Sequence, residues 1–312
     1  MRLTFTQESD FRQERDFGQK ISATFDFIGA HWQPLGRVLL YLVLPVAVVK
    51  NLMSVLFQLP HAGRPGSQAV GKLFGLQGFV MSTALTTPAS WLDSVLSSVL
   101  FTLLVISIYG YLTLVVRRRG PSPVVTVAEV WAVVRREFLS AFFSTWGLSL
   151  IVILGFVLGI VPGLYLSVAF SLFFMVKLTE GTGFSATMSR CLSLIRGKWW
   201  STFGLIMLMV LIFYVVIAGV GLAVVMLSGG LQAILHAGQQ QSSSFSIAGV
   251  ILNGMGLLLI YPPLLLVLAF QYFNLVERKD GVGLRQLVDT LGQGAAPQVR
   301  NAAYRPDEEG EY

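Results

Sequence analysis

The chain is poor in the residues that build catalytic and metal sites. It has one cysteine, Cys191, and three histidines, His31, His61 and His236, and none of these histidines has a carboxylate beside it. A metal site needs several His, Cys or carboxylate ligands that converge, and a single cysteine excludes an internal disulfide. The sequence also lacks a Gly-x-Ser-x-Gly elbow, a Walker loop and a His-Glu-x-x-His pair. We therefore expect no catalytic site, no metal ion and no cofactor.

Charged residues are also scarce. They make up 12% of the chain, whereas hydrophobic residues make up 54%, and the mean hydropathy of +0.70 lies outside the soluble globular range. Six apolar stretches are long enough, or nearly so, to cross a hydrocarbon core of ~30 Å, which takes roughly 20 helical residues. The predicted spans are 35–59, 94–116, 139–161, 163–178, 203–227 and 247–275. The sequence thus predicts an all-α integral membrane protein with six transmembrane helices.

Positive charges alternate between the loops that join these spans. Nineteen of the 22 Lys and Arg lie in four segments, which hold 5, 5, 4 and 5 of them: 1–37, 117–138, 177–198 and 276–312. The segment 60–93 holds only Arg64 and Lys72, and 228–246 holds none. Because positively charged loops stay on the cytoplasmic side, both termini are predicted to lie inside. The net charge of +6 then indicates contact with anionic lipid headgroups of the bilayer rather than with nucleic acid.

The same pattern divides the chain into three parts. Residues 1–34 are predicted to form a cytoplasmic amphipathic helix, and 35–275 the six-helix membrane domain. Residues 276–312 are predicted to form a cytoplasmic tail that is disordered from about residue 292, where Gly, Ala, Pro and Gln precede an acidic ending. Neither tail is long enough to bury a core of its own.

Three amphipathic stretches precede three pairs of spans. Their apolar residues recur at helical spacing: Phe17, Ile21, Phe25 and Ile28; Val127, Trp131, Val134 and Phe138; Phe184, Met188, Leu192 and Ile195. Helices of this kind lie in the membrane interface, with Trp at headgroup depth. One interpretation is a pseudo-threefold repeat of three hairpins, each preceded by an interfacial helix. The alternative is that positively charged inner loops produce amphipathic junctions without any repeat.

Two regions carry a family resemblance. They contain the run 162–166 with Glu180, Gly183 and Gly197-Lys198-Trp199-Trp200, and the run 272–284 with the opening 11–18. The first resembles the membrane domain attached to some glycerophosphodiester phosphodiesterases, and the second is similar to stand-alone multi-pass proteins of the Bacteroidetes lineage. The resemblance implies a multi-pass protein of the bacterial inner membrane. The family's catalytic barrel, with its His and paired acidic metal ligands, is not in this sequence, so we do not expect phosphodiesterase activity.

Polar residues within the predicted spans are the remaining site candidates, because a charge in hydrocarbon costs ~2.5 kcal/mol or more. Lys50 lies in the first span beside Asn51, and Asp93 lies at the outer edge of the second. Lysine side chains snorkel outward, so a contact between Lys50 and Asp93 is predicted. It is either a structural ion pair or a substrate or ion site that faces an outer cavity. Asn253 in the sixth span is either an interhelical hydrogen-bonding group or a ligand.

Prolines predict breaks in two spans and a turn between two others. Pro45 lies in the first span, and Pro262 and Pro263 lie near the middle of the sixth. Proline removes an intrahelical hydrogen bond and kinks the helix, either for packing or to expose carbonyl groups to an ion. Pro162 and Gly163 are predicted to form the tight outer turn between the third and fourth spans.

These observations favour a non-enzymatic membrane protein that organises the membrane or binds membrane protein partners. The alternatives are a transporter or lipid-handling protein with a site near Lys50 and, more weakly, an enzyme that acts on lipids. A transporter needs a water-filled cavity near the membrane midplane, whereas a scaffold has a packed core.

Overall fold

The computed structural model describes residue 11 and residues 14–58, 88–118, 125–227 and 243–281. At 54–58, 88–90, 220–227 and 243–259 it describes the backbone alone. The predicted disorder of the C-terminal tail from about residue 292 therefore lies outside the described residues. The division of the chain into three parts stays a prediction.

The described residues are helical and contain no strand. In chain order the helices are α1 Phe17–Val38, α2 Leu44–Gln58, α3 Pro88–Arg117, α4 Val127–Leu158, α5 Ile160–Phe170, α6 Phe173–Glu180, α7 Phe184–Ile195, α8 Trp199–Leu227 and α9 Ser243–Asp280. A π-helical segment, Leu39–Val43, joins α1 to α2 without interruption.

Six helical stretches in this part of the chain are long and apolar enough to cross a membrane. They are Phe17–Met53, Trp91–Arg117, Val127–Leu158, Ile160–Glu180, Trp199–Gly219 and Ile260–Asp280. The predicted number of spans is therefore confirmed, although the boundaries differ. The largest difference is in the first stretch, where the helix begins at Phe17 rather than near residue 35.

Side-chain contacts give the relative directions of the helices. Lys50 lies beside Asp93, and His31 packs against Tyr111 with ring centroids 6.1 Å apart, so α1 and α2 run antiparallel to α3. Thr102 contacts Thr145 across α3 and α4, with hydroxyl oxygens 3.2 Å apart.

The last helix runs parallel to α3. Phe101 packs against Tyr261, and Phe27 packs against both Tyr111 and Phe270. We call the two ends of the bundle the Lys50 end and the Arg190 end. Arg117, Glu180, Arg190 and Asp280 meet at the latter.

The helices α3 and α9 form the centre of the bundle. Both contact α1, α2 and α6, and they also contact each other. The side chains of Leu104, Ile106, Ile108 and Leu112 on α3 are completely buried. By contrast, α8 lies at the periphery and exposes an apolar face between Trp200 and Val216.

The contacts do not divide the bundle into separate hairpins. The pair α3 and α4 is packed as extensively as the pair α4 and α5. The arrangement in three hairpins stays a prediction.

The turn between α4 and α5 lies at Gly159, so the predicted turn at Pro162 and Gly163 is wrong by three residues. Gly159 has φ 151° and ψ 163°, a conformation in which glycine has no Cβ to clash. Pro162 is the third residue of α5, where a free N–H would find no intrahelical acceptor, so proline costs little there. Gly163 is inside α5 and faces α4 at close range.

The other predicted proline breaks do not end their helices. The helix α9 continues through Pro262 and Pro263, so these prolines do not end it; prolines are tolerated in membrane helices where neighbouring groups compensate. A kink at these residues stays a prediction. Pro45 is the second residue of α2, directly after the π-helical segment. This wider turn lies where the ring of Pro45 would otherwise meet the preceding turn of a regular α-helix.

Two of the three predicted amphipathic stretches are continuous with a span. The first is part of α1, which passes through Pro34 without ending. The second forms the start of α4, where Thr126 and Glu129 make a capping box. The third is a separate helix, α7, which is followed by a turn at Gly197 with φ 81°. The position of these stretches in the interface stays a prediction.

Candidate functional site

Lys50 and Asp93 are brought together, as the sequence predicts. Lys50 Nζ lies 3.6 Å from Asp93 Oδ1, and their side chains are 12% and 36% exposed. Asn51 is half-buried in the next position of α2. Asn253 lies in α9, but its side chain is outside the described side chains. The confirmed contact is an ion pair whose separation leaves both groups able to accept or donate further hydrogen bonds.

A second group of charged residues lies at the Arg190 end, where the sequence predicted no site. We call Glu180, Arg190, Tyr272 and Asp280 the inner network. Arg190 Nε donates to Glu180 Oε1 at 3.1 Å, and Arg190 Nη2 donates to Asp280 Oδ2. Tyr272 Oη donates to the same Glu180 oxygen at 3.1 Å. One guanidinium therefore ties together α6, α7 and α9.

Local structure explains why Arg190 is needed here. Glu180 is the last residue of α6, and Asp280 is the last residue of α9; each precedes a left-handed glycine, Gly181 or Gly281. Carboxylates at a helix C-terminus are unfavourable because that end of the helix dipole is negative. The cation between them offsets this cost. The hydrogen bond to Asp280, and then that to Glu180, raise the pKa of Arg190 above its ordinary value.

Further contacts hold α7 and α6 at the same end. Lys279 Nζ donates to both the carbonyl and the hydroxyl oxygen of Ser193 in α7. Arg117 Nη2 donates to the carbonyl oxygen of Thr179 at 3.3 Å. Lys177 is buried and donates to Ser140 Oγ of α4 at 2.9 Å. The Thr179 carbonyl oxygen and the Lys177 ammonium of α6 thus have hydrogen-bond partners within the protein.

A line of buried amides runs along one face of α9. Gln271 Nε2 donates to Thr202 Oγ1 at 2.8 Å, and Asn274 Nδ2 donates to the carbonyl oxygen of Arg15 at 3.0 Å. Arg278 Nε continues the line by donating to Asn274 Oδ1 at 3.1 Å. The sequence prediction missed these residues because they interrupt an otherwise apolar span. They are spaced three and four residues apart, which places them on one face of the helix. This spacing is the feature of the sequence from which the polar face could have been predicted.

Cys191 is buried beside the inner network, in α7. Burial, and then the negative charge of Glu180, raise the pKa of its thiol to about 12. The thiol is therefore protonated at neutral pH and is a poor nucleophile. In the fold it packs as a small apolar residue.

Metal-ligating side chains do not cluster within the described part of the chain, where no three His, Cys, Asp or Glu residues could hold a metal ion. His31 stacks on Phe27, with ring centroids 4.4 Å apart, and its Nδ1 lies 3.3 Å from the carbonyl oxygen of Phe27. This histidine serves packing between α1 and α3.

The arrangement is thus an ion pair at the Lys50 end and a denser network of charged and amide groups at the Arg190 end. In comparisons with known proteins, no family model, no curated protein and no solved structure matches this chain.

Proposed function

We propose that this chain is a multi-pass protein of the bacterial inner membrane that has no catalytic activity and binds a protein partner on its cytoplasmic face. The observation that carries the proposal is the inner network. It fixes the short helix α7 to the ends of α6 and α9 through Arg190. A helix held in this way is a rigid surface, and rigid surfaces lose little entropy on binding.

The orientation follows from the charges. The termini of α3, α6 and α9 that meet at the Arg190 end belong to the segments with 19 of the 22 Lys and Arg. Under the positive-inside rule this end is cytoplasmic. Labelling tests this orientation. A cysteine that replaces the exposed Arg196 should react only after cells are opened, whereas one that replaces Trp91 should react in intact cells.

The surface offered to the partner is one side of α7. Ser185, Ala186 and Ser189 are exposed, while Thr187 and Cys191 face the bundle. The exposed side is small and uncharged, so a partner helix or loop can approach the backbone closely.

The packed centre of the bundle supports a scaffold. The buried side chains of α3, between Leu100 and Leu112, and of α9, between Leu265 and Val276, fill the space between the helices. At the Arg190 end, Glu14, Glu180 and Asp280 are each engaged with a cation rather than left free for proton transfer.

Site-specific photocrosslinking tests the partner. A photoreactive residue at Ser189 should give a discrete protein adduct in cells, and the same residue at Leu150, which is exposed on a predicted span, should give none. When Arg190→Gln is added to the protein with the photoreactive residue at position 189, the yield of the adduct should fall. The reason is that α7 is no longer held to α6 and α9. Equal adducts at both positions, or none at Ser189, would contradict the proposal.

A second function is favoured by the ion pair at the other end. An ammonium in a predicted span, 3.6 Å from a carboxylate and partly exposed, is also what a transporter needs to bind an ion or a charged substrate. In that case Lys50→Met abolishes uptake without changing the fold.

A further inference from the structure

Three segments that pack together at the Arg190 end each contribute one cation. These cations are Lys20 of α1, Lys198 in the turn before α8, and Arg278 of α9. Hydrogen bonds from α9 reach both the segment before α1 and the first turn of α8, and Phe17 of α1 lies against Gly204 of α8. We call Lys20, Lys198 and Arg278 the cation cluster.

Hydrogen bonds fix Lys198 relative to α9. The carbonyl oxygen of Lys198 accepts hydrogen bonds from the backbone N–H of Thr202 at 3.2 Å and from Thr202 Oγ1 at 3.3 Å. Gln271 Nε2 donates to the same Thr202 hydroxyl at 2.8 Å. The turn that carries Lys198 is therefore tied to the buried amides of α9.

Arg278 is fixed to the segment before α1 by the same line of amides. Asn274 Oδ1 accepts a hydrogen bond from Arg278 Nε, and Asn274 Nδ2 donates one to the carbonyl oxygen of Arg15. On the other side, Ile21 packs against Leu205 and Val267, which join α1 to α8 and α9. Lys20, which lies between Arg15 and Ile21 in the chain, is 4% exposed.

Nearby acids do not balance the cluster. Glu14 lies 3.7 Å from Arg278 Nε. The Asp16 side chain accepts a hydrogen bond from a backbone N–H at the start of α1 as part of a capping box. No described carboxylate forms a salt bridge with Lys20 or Lys198. A buried ammonium without a close anion is costly, so the cluster is suited to an anion from outside the chain.

Adjacent aromatic residues indicate where that anion comes from. Trp199 stacks on Phe203, with ring centroids 5.0 Å apart, and on Tyr165 at 6.2 Å. Trp200 is 77% exposed. Tryptophan concentrates at the depth of lipid headgroups, and Lys198 directly precedes this pair. Basic pockets between membrane helices on the cytoplasmic side bind the headgroups of anionic lipids.

We propose that Lys20, Lys198 and Arg278 bind the phosphate group of an anionic phospholipid. The site rests on membrane insertion as set out in the proposed function, but it does not require a protein partner. The lipid-binding measurement tests only this site, and the crosslinking measurement tests only the α7 surface. A negative result in one therefore does not decide the other.

Native mass spectrometry of the full chain in detergent tests the site, with phosphatidylglycerol, phosphatidylcholine and inorganic phosphate as probes. Phosphatidylglycerol should bind more tightly than phosphatidylcholine. Lys20→Met and Lys198→Gln should each weaken phosphatidylglycerol binding about fivefold, because one cation near the membrane surface contributes about 1 kcal/mol to the binding of anionic lipid.

Matched variants control for the loss of one positive charge. Lys50→Met removes a lysine from the same continuous helix at the opposite end, and Arg196→Gln removes an exposed cation two residues from Lys198. Both should retain phosphatidylglycerol binding. The exposed Lys198 keeps the test decisive if Lys20→Met does not fold. Equal losses in all four variants, equal binding of the two lipids, or displacement of phosphatidylglycerol by equimolar inorganic phosphate would overturn the proposal.

Discussion

Gly155 and Gly163 face each other across the turn between α4 and α5. A Cβ added to Gly155 would lie 3.1 Å from the Gly163 Cα, and a Cβ added to Gly163 would lie 2.4 Å from Phe156 Cγ and 2.8 Å from its Cα. The two helices approach this closely because neither glycine has a side chain. Close packing of small residues is a main source of association between membrane helices.

Gly163→Ala should therefore destabilise the protein by about 1–3 kcal/mol, the usual range for overpacking. Denaturation in detergent micelles, followed by tryptophan fluorescence, measures the change. Gly219→Ala is the control, since a Cβ at Gly219 meets nothing within 4 Å. A Gly163→Ala protein as stable as the Gly219→Ala protein would contradict the close approach of α4 and α5.

Arg190→Gln should loosen α7 from the bundle. It leaves the carboxylates of Glu180 and Asp280 near each other at two helix C-termini, without the cation that joins them. The Arg190 side chain is partly exposed, so we expect a loss of about 1–3 kcal/mol, between surface and buried ion pairs. Hydrogen exchange should increase in α7 before it increases in α3.

The control for this variant is Arg136→Gln. Arg136 pairs with the neighbouring Glu137 and has a 75% exposed side chain, so its loss should change stability little. If the two variants are equally stable, the inner network does not hold α7.

Cys191 should resist alkylation in the folded protein. Its thiol is buried and has a pKa of about 12, against an ordinary value of 9.0, so at pH 8.5 almost no thiolate forms. Reaction with a neutral maleimide should be at least about tenfold slower than at a cysteine that replaces Ser189 in a Cys191→Ala protein.

The raised pKa of Cys191 predicts that the free energy of unfolding falls at alkaline pH. Because the folded-state pKa is raised, Cys191 contributes no loss of stability below pH 9. Its burial costs stability progressively as the pH rises from about 9 towards 12, where the unfolded chain releases the proton more readily. Cys191→Ala should reduce this alkaline loss, and an unchanged alkaline profile would argue against the shifted thiol.

Asp93→Ala should destabilise the protein more than Lys50→Met, because it leaves the ammonium of a predicted span without its carboxylate. We expect a loss of about 1–2 kcal/mol that the double variant Lys50→Met with Asp93→Ala largely restores. Non-additive unfolding energies in this cycle would demonstrate a structural pair. Additive energies, with loss of uptake in Lys50→Met alone, would instead favour transport.

Features set by local composition could be predicted from the sequence. The number of spans follows from apolar length, and the contact of Lys50 with Asp93 follows from the cost of an isolated charge. The turn at Gly159 was misplaced because Pro162 and Gly163 are a stronger turn signal than one glycine, and the difference lies in which residue must adopt a positive φ.

Contacts between distant residues could not be predicted in this way. Arg190 and Asp280 are 90 residues apart, and nothing in either local segment specifies the other. The sequence places the buried Gln271 and Asn274 in an apolar span, although their partners come from α8 and from the segment before α1. Such pairs depend on how the helices pack, which a single sequence does not determine.

The π-helical segment Leu39–Val43 sets the rotational phase of the first span. Its terminal hydrogen bond, from the Leu44 N–H to the Leu39 carbonyl oxygen, spans one residue more than an α-helical bond. Each residue of an α-helix turns the chain by about 100°, so this extra residue displaces every later side chain around the helix axis by that angle. Deletion of one residue from this segment would keep the helix but carry Lys50 to another side, away from Asp93. A helical wheel that starts at Phe17 and assumes a regular α-helix throughout therefore places Lys50 on the wrong face of the helix.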